Sequence, residues 1–79
     1  MATRAFIFIE TAVGKTRDVV HALRAVPGVS IADAVTGPYD VIAVVDAQDL
    51  STIGDVVTGR IHSVNGIART VTCLGVSAI

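Results

Sequence analysis

The chain has 79 residues, enough for one small domain and no more, with a formal net charge of −1 at pH 7. Its composition, 52% apolar and 16% charged, carries more Val, Ile, Ala and Leu than a monomer of this size can hide, so part of that surface is expected at subunit contacts. The six basic residues are scattered singly from Arg4 to Arg69, which argues against direct DNA or RNA binding, because a nucleic-acid binder neutralises several phosphates from one basic face.

Ala5 to Ile9 alternates and reads as the first strand, with Ala5, Ile7 and Ile9 on one face and Phe6 and Phe8 on the other. Both faces are apolar, so both are expected to be covered. Glu10 cuts this run short, and the longest charge-free stretch, Thr70 to Ile79, falls well below the ~20 apolar residues of a membrane helix. Neither a signal peptide nor an anchor is expected, and a cytoplasmic location is. After a loop from Thr11 to Gly14 the period changes. Thr16, Val19, Val20, Leu23 and Val26 form one stripe of a helix, opposite Lys15, Arg17, Asp18, His21 and Arg24. Pro27-Gly28 ends it, since Pro cannot continue the ladder and Gly accepts the C-terminal turn.

Val29 to Val35 is the second strand, and a Gly37-Pro38 turn folds it back onto a third from Tyr39 to Val45. Asp46 is expected to cap the second helix, with Asp49 in its first turn. Leu50, Ile53, Val57, Ile61 and Val64 supply the buried stripe of that helix, which Gly54 and Gly59 weaken. Asn65-Gly66 stops it, and Ile67 to Leu74 is the last strand. Val26-Pro27-Gly28-Val29 and Val64-Asn65-Gly66-Ile67 are the same joint used twice. The order is therefore βαββαβ, an α+β ferredoxin-like domain with two helices on one face of a four-stranded antiparallel sheet. The other face needs a cover, and a second copy of the sheet supplies it, giving a dimeric α/β barrel.

Signs of catalysis are thin. His21 and His62 read as surface histidines without a metal or catalytic partner, and no Ser-His-Asp order, paired-cysteine motif or phosphate-cradling glycine loop occurs. No cofactor or metal is expected. Gly14 reads as a helix-start residue. Cys73, the single cysteine, excludes an internal disulfide, fits a reducing compartment and reads as a small core hydrophobe. The polar residues that stand out lie at strand ends: Thr36, Tyr39 and Asp40 beside the Gly37-Pro38 turn, and Thr70 and Thr72 on one face of the last strand. A carboxylate there can hold an α-ammonium group, while hydroxyls and turn N–H groups can hold an α-carboxylate.

In these elements the chain resembles the effector-binding and assembly domain of the Lrp/AsnC transcription regulators, the RAM domain. The resemblance runs through Gly14-Lys15, Val26-Pro27-Gly28-Val29, Thr36-Gly37-Pro38-Tyr39-Asp40, Asp46, Leu50, Val64-Asn65-Gly66-Ile67 and Thr70-Val71-Thr72. It implies dimers joined through their sheets, assembly into rings of eight or ten chains, and small amino acids bound between dimers. It places Gly37 and Asp40 in the pocket, with Thr36, Pro38, Tyr39, Thr70 and Thr72 as further ligand-binding candidates. Family regulators carry a helix-turn-helix ahead of this domain, whereas this chain opens on the first strand and so resembles the stand-alone form. The segment Gly59-Arg60-Ile61-His62-Ser63 is also less charged than the usual end of the second helix. The function this implies is a non-enzymatic amino-acid-binding and oligomerisation module that modulates regulators of amino-acid metabolism, with full-length regulators of the family as partners. The alternative is a small dimeric α/β-barrel enzyme of the cofactor-free monooxygenase or isomerase type. A third reading is an assembly module without a ligand.

Overall fold

The computed structural model describes residues 3–76. The chain forms β1 (Thr3–Thr11), α1 (Thr16–Arg24), β2 (Val29–Ala34), β3 (Val41–Ala47), α2 (Leu50–Val56), a π-helical turn (Val57–Ile61) and β4 (Ile67–Leu74). The strands make one antiparallel sheet in the order β2-β3-β1-β4, the expected ferredoxin-like arrangement. No helix is long and apolar enough to cross a membrane among the described residues.

The alternation read from β1 sets the two faces. Ala5, Ile7 and Ile9 are fully buried against Val41, Ala43 and Val45 of β3 and against Val19, Leu23, Ile53 and Ile61 of the helical layer. Antiparallel pairing puts directly opposed residues on one face. Phe6 and Phe8 therefore share the outer face with their partners Val44 and Ile42 on β3 and Cys73 and Val71 on β4. Phe6 and Phe8 are half-buried there, and Tyr39 tilts against Phe8 with ring centroids 5.3 Å apart. Cross-strand ion pairs bound this apolar surface at both ends: Arg4 grips Asp46 through two hydrogen bonds, of 2.8 and 3.1 Å, and Arg69 Nε lies 3.7 Å from Glu10 Oε2.

The duplicated joint is real in the backbone. Gly28 and Gly66 have φ of +100° and +101°, a region L side chains rarely enter. Each also touches the opposite helical segment. A Cβ on Gly28 would lie 3.1 Å from Val56 Cγ2, and one on Gly66 would lie 2.9 Å from Lys15 Cβ.

Four expectations change. Asp46 does not cap the second helix: it ends β3 in the pair with Arg4, and Asp49 is the cap, its Oδ1 accepting from Thr52 N at 2.8 Å. Leu50, placed in the buried stripe, is 58% exposed and stands at an open groove shared with Thr72 and Leu74 of β4. The second helix does not run regularly to Val64. The α ladder gives way after Val56, and His62 N donates to Val57 O at 2.9 Å, the wider π spacing. The hydroxyl of Thr58 donates back to Gly54 O at this switch, a contact that competes with the regular ladder. The extra residue buries the adjacent pair Val56 and Val57 and still returns Ile61 to the core. Cys73 is exposed on the outer face rather than in the core.

Candidate functional site

The turn between β2 and β3 is built as its residues suggest. Gly37 takes φ +129° and Pro38 follows it, leaving Thr36, Gly37 and Pro38 exposed. A Cβ at Gly37 would meet nothing within 4 Å, so conformation rather than crowding requires the glycine. Tyr39 and Asp40, expected within the third strand, belong instead to the connection, since β3 begins at Val41.

Asp40 is half-buried and stands just before β3 begins, where β1 runs on past its last pairing with β3, Ile9 opposite Val41. Its backbone N donates to Ile9 O and its carboxylate Oδ2 accepts from Thr11 N at 2.8 Å. The side chain thus replaces the missing ladder partner of Thr11. Oδ1 makes no hydrogen bond among the described residues and remains an acceptor beside the turn.

Thr70 and Thr72 do share a face, opposite Ile9 and Ile7 on the helix side of the sheet. Thr70 is half-buried, and its Oγ1 lies 3.1 Å from His62 Nε2. Together with Ile67, Ala68 and Arg69 this pair lines a cleft of about 290 Å³ at the start of β4. Ala68 is the extra residue of a bulge, since β1 residues Glu10 and Thr11 pair with Arg69 and Ile67. Thr72 belongs to a second, more apolar groove of about 390 Å³, which Leu50, Ile53, Gly54, Val57, Thr58 and Leu74 complete. A Cβ on Gly54 would meet nothing within 4 Å, so this glycine opens the groove rather than permitting helix packing inside the protomer.

The seven candidate residues therefore fall into two groups within a protomer. The Thr36–Asp40 turn lies beyond β3, while Thr70 and Thr72 lie on β4, with β1 between them. Sequence reasoning misses His62 as a member of the Thr70 group. Its only local signal is an exposed position just after buried Ile61, and the π turn and the start of β4 are what bring it onto Thr70.

Two carboxylates at the edges of the sheet and of α2 are shifted by their partners. Hydrogen bonding to Arg4 foremost, then to Ser30, holds the Asp46 carboxyl below the usual carboxylate range, and the Thr52 backbone N–H does the same for Asp49.

Comparison with known proteins places these observations in a family. The model of the Lrp/AsnC ligand binding domain matches residues 4–79. No curated protein matches the chain. Among solved structures, one from Thermus thermophilus superposes with a TM-score of 0.90 at 37% identity, covering 100% of this chain and 98% of that one. Escherichia coli AsnC superposes with a TM-score of 0.87 at 20% identity over 94% of this chain and 50% of its own. A transcriptional regulator of Neisseria meningitidis, solved as a complex with L-Met, gives 0.84 at 20% identity over 98% of this chain and 51% of its own. At those lower identities the likeness is one of fold, and the family assignment rests on the match over residues 4–79. The chain belongs to the Lrp/AsnC ligand-binding domain family.

Proposed function

We propose that this domain binds a small amino acid at the Thr36–Asp40 turn and assembles through the outer face of its sheet. It acts as a cytoplasmic, non-enzymatic module that modulates transcription regulators of amino-acid metabolism without binding DNA itself. The observation that carries this reading is Asp40: its carboxylate is anchored by Thr11 N–H through one oxygen and offers the other beside an exposed turn. Such a group suits an α-ammonium. Thr36, Gly37, Pro38 and Tyr39 frame it, and Thr70 and Thr72 join it from a neighbouring subunit, since β1 separates them within one chain. The Neisseria meningitidis regulator is a complex with L-Met, which supports amino acids as the ligand class to try.

Assembly is supported by the apolar outer face, where Phe6, Phe8, Ile42 and Val71 are only half-buried in a protomer. Sheet-to-sheet dimers cover it, and rings of eight or ten chains follow from further contacts, through which full-length family regulators join. Light scattering at low micromolar concentration is expected to give at least a dimer. Phe8→Glu is expected to lower that mass. The net charge of −1 supports the absence of DNA affinity at physiological salt, because the phosphate contribution to binding is missing. A gel shift with the isolated chain would overturn that part.

The deciding experiment is calorimetric titration with each of the twenty amino acids. Asp40→Asn keeps an acceptor for Thr11 N–H and removes the charge. It should weaken the binder about ten- to a hundredfold, the value of one charge-assisted hydrogen bond, with circular dichroism unchanged. Unchanged affinity would reduce the turn to a structural connection.

A further inference from the structure

β2 pairs only with β3 and so ends the sheet on the side away from β4. Val35 N donates to Asp40 O at 2.9 Å, so Val35 faces β3, and strand alternation turns the N–H and C=O of Ala34 outward. Ala32, two residues earlier, faces the same way, and its carbonyl O accepts from Arg24 Nε at 2.9 Å. Over this edge runs α1, whose Arg17, His21 and Arg24 stand at the i, i+4, i+7 spacing of one helix face. With Thr16, Val20 and Ala34 they line an open cleft of about 510 Å³, and no acidic residue is among them. Arg17 and His21 make no ion pair among the described residues. Arg24 holds Asp33 at 3.3 Å, but the two side chains are 61% and 63% exposed, and such pairs contribute little.

We propose that the β2 edge and α1 together dock an extended acidic peptide segment of another protein, which adds to the sheet beside β2 with its carboxylates toward α1. An open sheet edge is a template for such a strand, and the backbone groups supply the contacts. The exchange of partners is balanced. Ala32 O trades the Arg24 guanidinium for a peptide N–H, and the outward N–H and C=O of Ala34 gain ladder partners. Arg24 in turn trades Ala32 O and Asp33 for a carboxylate, the group its planar fork fits. A neutral or basic peptide would displace Arg24 and offer it nothing in return. Ala34 brings only a methyl group to the cleft, which leaves room for the longer side chains of the added strand. Alternate residues of a strand project to one face, so the segment needs acidic residues two apart. No two acidic residues of this chain stand at that spacing, so a second copy does not supply it. Three cationic side chains along one short helix also fall short of the basic face that a nucleic acid takes.

The probe is a fluorescently labelled peptide of alternating Glu and Thr with blocked ends, titrated into the full chain by anisotropy and by alanine-methyl NMR. Saturable binding is expected, with shifts at the methyl groups of Ala32 and Ala34 and none at exposed Ala68 on β4, the opposite edge. The same peptide with Gln for Glu should bind at least about tenfold more weakly. Two further peptides carry N-methyl groups at the odd or at the even positions, with all charges kept. A strand turns alternate N–H groups to its neighbour, so one of these should lose binding and the other keep it. This arm leaves the protein unaltered, so no folding defect enters it. In the protein, Arg17→Gln combined with Arg24→Gln should cost about tenfold in affinity with circular dichroism unchanged. Absence of saturable binding, equal affinity for the Glu and Gln peptides, or equal affinity for the two N-methylated peptides overturns the proposal. So do shifts centred on Ala68, or tighter binding of a thymidylate oligonucleotide at the same methyl groups, which would make the cleft a nucleic-acid surface.

Discussion

The two βαβ halves share a joint but not a finish. In the first half, α1 is a regular helix whose stripe of Val19, Val20 and Leu23 is buried on the sheet, and Arg24 ties its end to β2 through Ala32 O at 2.9 Å. In the second half, α2 covers its strand incompletely. Leu50 stays exposed, the ladder widens at the π turn, and Thr72 and Leu74 of β4 remain open to the surface. Both clefts along β4 lie in this looser half. One helix-to-strand joint, used twice with φ within a degree, thus follows a regular helix in one half and an irregular one in the other, and open clefts line both, about 510 Å³ along α1 and about 290 and 390 Å³ along β4. Irregular, less covered segments next to a rigid scaffold are where binding is usually found.

The largest test of this contrast sets two leucines against each other. Leu23→Ala on α1 removes a fully buried side chain and should cost about 2–5 kcal/mol, whereas Leu50→Ala on α2 should stay within about 0.5 kcal/mol. Urea unfolding at fixed protein concentration measures both, since assembly links stability to concentration. A comparable loss at Leu50 would mean that an assembled neighbour buries it, and the halves would then differ in partner rather than in packing.

The joints come next. Gly66→Ala combines a positive φ with a Cβ 2.9 Å from Lys15 Cβ and 3.1 Å from Val19 Cγ2, and should cost about 2–4 kcal/mol. Gly28→Ala meets only Val56 at 3.1 Å and should cost about 1–3 kcal/mol. The order matters more than the values: a larger loss at Gly28 would show that the second helix, not the first, is the stiffer neighbour.

The smallest effect concerns the cap that α2 has and α1 lacks. Asp49→Ala should lower Tm by about 3–6 °C, the usual reach of an N-cap in a domain of this size, while Lys15→Ala at the start of α1 should not. Asp49 and Asp46 both have folded pKa values below their ordinary ones. Their stabilisation is therefore complete above the unfolded value near pH 4 and is lost as pH falls through the lower, folded one. An acid-unfolding curve should shift to higher pH in Asp49→Ala less than in Asp46→Asn paired with intact Arg4, if the bidentate ion pair is the stronger of the two contacts.

Much of this molecule was decided locally. The alternation of Ala5, Ile7 and Ile9, the helical stripe from Thr16 to Leu23, the two glycine joints and the span Ile67–Leu74 are all short-range patterns, and the structure keeps each of them. The turn at Gly37 was equally legible, because a φ requirement belongs to a single residue, whereas Asp40 and Thr70 were singled out as candidates on side-chain chemistry alone. What tertiary structure alone decided is whatever depends on a partner distant in sequence. Asp46 and Asp49 are both plausible caps until Arg4 arrives across the sheet and takes Asp46. Leu50 fits the buried spacing, yet the groove it shares with Thr72 and Leu74 of β4 stays open and leaves it exposed. Cys73 alternates with Thr72 and Leu74, but which face is covered follows from where the helices pack. His62 becomes a neighbour of Thr70 only through the wider π turn and the bend at Gly66. The lateral order β2-β3-β1-β4 likewise puts β1 between Asp40 and Thr70. Period and turn chemistry specify elements because they act over a few residues, whereas coverage, ion pairing and the meeting of functional groups depend on long-range packing that no local spacing records.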